Sequence, residues 1–163
     1  MKYLFVLLFF VLGSYSINAQ HWKELKQAPL KIKYQIPTGW YVGGYTSGKS
    51  CNCSGATINT ADDRSLNMVI FSSDKEDLEA LKKQPIWGYN FAPPSSDAEM
   101  LKTEYFAFEK ALSTWQEDGQ STVLRFATST TELKYLVYFW GSFNDVTKHA
   151  ATIEHILKSI QQL

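Results

Sequence analysis

Polar and apolar residues alternate strictly over Lys31-Ile32-Lys33-Tyr34-Gln35-Ile36. A period of two predicts a half-buried strand with Ile32, Tyr34 and Ile36 facing inward. Pro37-Thr38-Gly39 turns the chain, and Trp40-Tyr41-Val42 continues as a second strand. Ahead of them, residues 20–30 read as a short helical turn or an extended lead-in ended by Pro29. Ala56–Thr60 is expected to pair with Leu66–Phe71 across an Asp62-Asp63-Arg64 turn, with Leu66, Met68 and Ile70 on one face. Two further strands are predicted over Ser121–Thr128 and Glu132–Gly141. The second, through Leu133–Trp140, is apolar on both faces, the pattern of a central strand covered on both sides.

Helical signals fall between and after these strands. Ser73-x-x-Glu76 is a capping box opening a short helix to Lys83, with Asp74, Glu76, Asp77 and Glu79 at its positive end and Lys82 and Lys83 at its negative end. Ser96-x-x-Glu99 is a second box. After it Leu101, Tyr105, Phe108, Leu112 and Trp115 recur at steps of 4, 3, 4 and 3, which places them on one face of a helix. The spacing predicts a helix from Asp97 to Gln116, with Phe106 the one large residue off its apolar face. The competing reading, a strand over Thr103–Phe108, has two faces that mix charge and aromatics. A last helix, capped by Asn144 or Asp145, carries the stripe Val146, Ala150, Ile153, Leu157 and Ile160. Short turns between successive strands imply antiparallel pairing. The expected class is therefore α+β, an antiparallel sheet of about five to six strands packed by helices on both faces.

The start of the chain follows another pattern. Lys2 precedes the apolar run Leu4–Leu12, and Ile17-Asn18-Ala19 ends in a small residue. This describes a secretory signal peptide over residues 1–19, too short in its apolar part to span a bilayer. Of the 163 residues, 144 then remain as one domain, 20–163, with 19 of the 24 aromatics. The leader takes one of the 16 basic residues and none of the 16 acidic ones, leaving a net charge of −1. Such a chain lacks the basic surface that nucleic-acid binding uses. No later apolar run is long enough for a membrane span. The expected location is the periplasm or the extracellular space.

The opening strand ending in Ile36-Pro37-Thr38-Gly39-Trp40 is similar to the opening of PsbP-like domains. That group includes the photosystem extrinsic protein, a nuclear Ran-binding relative and many secreted bacterial proteins. Its members also close with an aromatic strand and a helix ending like Ile156-Leu157-Lys158-Ser159-Ile160. The middle of the chain does not align. The resemblance implies an antiparallel sheet between helical layers, no shared catalytic residues, and a role in binding or assembly.

Cys51-Asn52-Cys53 is the sharpest chemical feature. Its readings are a local disulfide favoured by an oxidising compartment, two free thiols, a redox pair, or a soft-metal site for Cu(I) or Zn(II). Gly55 and a strand follow, whereas redox thiols usually sit at a helix N-terminus. Asn52-Cys53-Ser54 also fits a glycosylation acceptor. The histidines are expected to stay apart: His21 is terminal, and His149 and His155 lie six residues apart on one helix, about 240° around it. No G-x-S-x-G or H-E-x-x-H motif is present. Glu104 falls inside the apolar arc of the predicted long helix. There it would be a buried carboxylate, or else sit at the arc's edge or pair with an Arg such as Arg125. The aromatic loop with Trp87, Tyr89 and Phe91, together with Trp40, Tyr41 and Tyr45, would form a recognition surface or fold back as core. The expected function is a non-catalytic binding or assembly module for another envelope or extracellular protein, with no cofactor. The alternatives are a thiol or metal protein at Cys51 and Cys53, and a small ligand-binding or hydrolase-like cavity between the sheet and the long helix.

Overall fold

The structure, a computed structural model, describes residues 20–44, 55–83, 98–114 and 120–163. Among them, ten strands form two antiparallel sheets. The smaller has three strands in the order β1 (Trp22–Gln27), β2 (Ile32–Pro37), β10 (Gln161–Gln162). The larger contains β3 (Tyr41–Val42), β4 (Gly55–Thr60), β5 (Leu66–Ser73), β6 (Glu99–Lys102), β7 (Ala107–Thr114), β8 (Thr122–Ser129) and β9 (Lys134–Gly141). Their order is β3-β4-β5-β9-β8-β7-β6, so the strand that is apolar on both faces lies in the middle.

Alternation along β9 divides the core in two. Tyr135, Val137 and Phe139 point to one face, with Leu66, Met68 and Ile70 of β5 and Ile32, Tyr34 and Ile36 of β2, all buried. Leu136, Tyr138 and Trp140 point to the other, with Val69, Phe71 and Val123. The first face is covered by the small sheet and by α3 (Ala150–Ser159), which lies along β2. The second is covered by α1 (Leu78–Lys83) through Leu81 and Leu78. The antiparallel α+β class holds. The five to six strands expected become two sheets, and one of the helical layers is largely a second sheet.

Buried polar tips find partners across the first core. Asn59 Nδ2 donates to the Tyr34 hydroxyl at 2.9 Å, and burial pushes that phenol up to about 12. The Tyr135 hydroxyl donates to the Leu30 carbonyl at 2.9 Å.

The lead-in is extended over β1 and then makes a single 3₁₀ turn over Ala28–Leu30, within the two readings of residues 20–30. Other expectations change. The long helix over 97–116 is not formed: β6 and β7 make a hairpin there, with Leu101 opposite Phe108. Thr103 closes its turn, donating from its backbone N–H and its hydroxyl to the Phe106 carbonyl and accepting the Phe106 N–H on Oγ1. Phe106 is buried. The final helix is broken at His149 into α2 (Phe143–Lys148) and α3. Ser142, not Asn144 or Asp145, caps α2 by accepting the Asp145 N–H. Ala150 is exposed, and Thr152 and Ile156 complete the buried stripe.

Ser73 Oγ accepts the Glu76 N–H at 3.2 Å, but Ser73 is the last residue of β5 and the helix begins only at Leu78. That bond shapes the approach to α1, whose first turn is capped by Asp77 through the Ala80 N–H at 2.7 Å.

Candidate functional site

Among the described residues, those singled out from the sequence do not converge. Tyr45, Cys51, Cys53, Trp87, Tyr89 and Phe91 lie outside the described residues. Glu104 is exposed in the β6–β7 turn, because the helix that would have buried it is a hairpin. Its carboxylate bonds the exposed Tyr105 hydroxyl and raises that phenol. The void beside Phe106, Phe108 and Tyr135 is too small for a water molecule, so that part of the core is solid. Trp40 is core, 4% exposed, while Tyr41 beside it is 65% exposed on edge strand β3.

The described residues line two open concavities that can be compared. The larger, about 510 Å³, lies beside α1 and is lined by Met100, Tyr105, Glu109 and Thr128 among others. Its polar groups bond to one another. Lys82 Nζ lies 3.0 and 2.9 Å from the two Glu109 oxygens, and Arg125 Nη2 donates to Glu109 Oε1 at 3.3 Å. Burial alone would lower the Lys82 ammonium, but the hydrogen bonds it donates to Glu109 and Glu79 outweigh it and raise it. Thr128 Oγ1 donates to the Ala107 carbonyl and Thr130 Oγ1 to that of Leu133. Arg125 Nε, a buried donor, finds no partner among the described residues.

The smaller concavity, about 290 Å³, lies at the opposite end of the large sheet, beside the β4–β5 turn. Four separate parts of the chain build it. The lead-in to β1 supplies Gln20 and His21; the β2–β3 turn supplies Pro37, Thr38, Gly39 and Trp40; the β4–β5 turn supplies Asp62; the break between α2 and α3 supplies His149. The β2–β3 turn is held by the Trp40 N–H on the Pro37 carbonyl and by Thr38, whose N–H and hydroxyl both donate to the His21 carbonyl, at 2.8 and 3.0 Å. Lys23 Nζ holds the Trp40 carbonyl at 2.9 Å. His149 meets the Trp40 ring edge-on, with centroids 6.2 Å apart.

The β4–β5 turn sets the chemistry below the pocket. Arg64 takes a left-handed backbone (φ 57), and Asp63 Oδ1 closes the turn by accepting the Ser65 N–H at 3.0 Å. The Ser65 hydroxyl also donates to Asp63 Oδ1, at 2.5 Å. Its proton being committed there, Ser65 Oγ accepts from His149 Nε2 at 3.3 Å. The Ser65 hydroxyl and N–H, with the Lys148 ammonium, hold the Asp63 carboxyl well below the usual carboxylate range. A serine, a histidine and an aspartate thus meet, but in the wrong order for nucleophilic catalysis: the carboxylate takes the serine proton and the histidine donates to the serine. The trio braces the turn and fixes the imidazole. Gly141 permits it, since a Cβ there would stand 2.4 Å from the Ser65 carbonyl oxygen.

Sequence reasoning kept the histidines apart. The fold brings His21, His149 and Asp62 to the rim of one pocket. The signal was the pairing of β3 with β4. Once Tyr41 is placed opposite Thr60, the turn at Asp62 must lie beside Trp40. His155 is elsewhere, stacked on Trp22 at 3.7 Å and bonded to Gln35. Among the described residues no three His, Cys, Asp or Glu side chains are placed to hold a metal, and no helix is long and apolar enough to cross a membrane.

No protein-family model matches the chain, and no curated protein does at the level of sequence. Solved structures do match its fold. A structure from Bacteroides thetaiotaomicron superposes with a TM-score of 0.60 at 14% identity over 86% of this chain; the chain spans 48% of that structure's length. Cyanobacterial PsbP from Synechocystis matches with a TM-score of 0.59 at 11% identity, covering 93% of this chain and 99% of the other. LpqN of Mycobacterium tuberculosis, a protein involved in cell envelope biogenesis, matches with a TM-score of 0.54 at 12% identity, covering 88% and 91%. The likeness is one of fold.

Proposed function

We propose that the chain is an exported, PsbP-like, non-catalytic binding or assembly module of a single domain, recognising another envelope or extracellular protein. The recognition surface is the end of the large sheet where Tyr41 stands beside the Trp40–His149 pocket. The observation that carries this reading is the pocket's wiring. Its histidine and serine are engaged in bracing a turn, while its carboxylate, Asp62, is open and Tyr41, next in the chain to the lining residue Trp40, is exposed. Exposed aromatics on a rigid frame are the usual anchors of protein recognition. The cell-envelope role of a fold neighbour, LpqN, is consistent with export and with such a partner.

The reading is tested with a photo-reactive residue, p-benzoyl-phenylalanine, in place of Tyr41 in the full chain in its own cells. A discrete cross-linked partner is expected, while the same probe at Tyr105, beside the other concavity, gives none. Absence of any adduct from position 41, or the same adducts from both positions, contradicts it.

A further inference from the structure

The donors and acceptors of the smaller pocket can be assigned atom by atom. The Thr38 hydroxyl proton is committed to the His21 carbonyl, so Thr38 Oγ1 offers only lone pairs. His149 Nε2 donates to Ser65, so in the imidazole form its other nitrogen, Nδ1, is an acceptor. Asp62 Oδ1 takes the Asp63 N–H at 3.0 Å, which leaves Oδ2 and the remaining lone pairs of a carboxylate. No ion pair holds Asp62 among the described residues, in contrast to Asp63, which Lys148 holds at 3.1 Å. Asp62 is also the one fixed charge in the lining. Gln20, His21 and the Trp40 indole also line the pocket and can donate, but the lone pairs left open on Thr38, Asp62 and His149 gather around its one carboxylate. Trp40 and Pro37 add an apolar wall.

A ligand that complements this lining is cationic, rich in N–H donors and joined to an apolar stem. At about 290 Å³ the pocket lies at the bottom of the roughly 300–1,000 Å³ range of small-molecule sites, room for one side chain. A guanidinium has five N–H donors in a plane and pairs with a carboxylate through a fork. An ammonium is a compact, strongly hydrated point charge with three donors. Acceptors contributed by three different segments suit the guanidinium.

We infer that the pocket bounded by Thr38, Trp40, Asp62 and His149 receives an arginine side chain of the partner protein, its guanidinium on Asp62 and its methylenes against Trp40 and Pro37. This rests on the binding-module reading and supplies its specificity. The partner then presents an arginine at its contact surface, with apolar residues around it to meet Tyr41.

The test uses isotope-labelled full chain titrated with N-acetyl-arginine amide, whose only charge is the guanidinium, and with N-acetyl-citrulline amide, its uncharged counterpart. Saturable shifts of the Trp40 indole N–H and of the Asp62 and His149 amides are expected with the arginine compound. Citrulline is expected to bind at least about tenfold more weakly, the scale of one charge-assisted hydrogen bond. Asp62→Asn keeps Oδ1 for the Asp63 N–H and should lose the same factor. No shift at these groups, equal binding of citrulline, tighter binding of N-acetyl-lysine amide, or undiminished binding by Asp62→Asn overturns the inference. The wild-type pair of ligands decides even if the variant fails to fold. Failure here with a retained cross-link from position 41 removes the arginine and leaves the binding module standing.

Discussion

The two concavities at opposite ends of the large sheet have opposite arrangements of charge. Beside α1, Lys82 and Arg125 close on Glu109, with 8% and 13% of the two cationic side chains exposed, and the polar atom left over is a donor. Beside the β4–β5 turn, the Thr38 and Ser65 hydroxyl protons and the His149 ring proton are committed inward, which leaves acceptors around Asp62. Volume would favour the first. The state of the polar groups favours the second, because a site must have unsatisfied bonding capacity to offer a ligand. Charges closed on each other act on stability; charges left open act on binding.

The largest effect expected from this contrast is at Glu109. Replacing it with alanine leaves the nearly buried Arg125 without its carboxylate and Lys82 with only the exposed Glu79, and should reduce stability by about 3 kcal/mol, at the lower end of the range for breaking a buried pair. Asp62→Asn should stay within about 0.5 kcal/mol. Urea denaturation of both variants checks this, and equal losses would erase the distinction. Gly141→Ala comes next. Its Cβ would collide with the Ser65 backbone carbonyl, 2.4 Å away, so about 2 kcal/mol is expected from the forced shift of β5 against β9. Thermal denaturation measures it, and a variant as stable as the parent would show that the close approach is not real. Ser142→Ala removes the N-cap of α2, the helix leading to His149, and should cost about 1 kcal/mol. No change in the denaturation midpoint would deny the cap its role.

The smallest effect is a pH dependence. The folded Asp63 carboxyl is held below its ordinary value. Its contribution is therefore present above the unfolded carboxylate pKa, about 3.9, and is lost as pH falls below that value toward the folded one. Asp63→Asn should flatten the decline in stability below about pH 4 relative to the parent. Identical slopes would mean that the Ser65 and Lys148 contacts do not persist in solution.

Much of the large sheet was legible in the chain. Leu133–Trp140 announced a central strand by being apolar on both faces, and it stands fourth of seven. The turn at Asp62–Arg64 was an equally local signal, whereas Ser73, read as the start of α1, stands at the end of β5 and Asp77 caps the helix. The β6–β7 hairpin was not legible, for a definite reason. Its first face is covered only at the Phe108 end, so Leu112 on that face is 37% exposed while Ala111 and Ser113 are buried on the other. Such a strand shows no clean alternation, and its apolar residues fell by chance at helical steps. Its turn, Thr103-Glu104-Tyr105-Phe106, has no Gly or Asn. Phe106, the residue that did not fit the helical face, was the clue. The pocket was less legible still. Thr38, Asp62 and His149 are unremarkable in isolation, and only the pairing of β3, β4 and β5 brings them together.

Crystals of the full chain soaked in N-acetyl-arginine amide test the account most directly, because both concavities are then offered the same cation. The account predicts difference density for a guanidinium between Asp62, Thr38 and His149, and none beside Glu109 and Arg125. Density in the cleft beside α1, or a clear map at Asp62 from crystals shown to admit the compound, would contradict it.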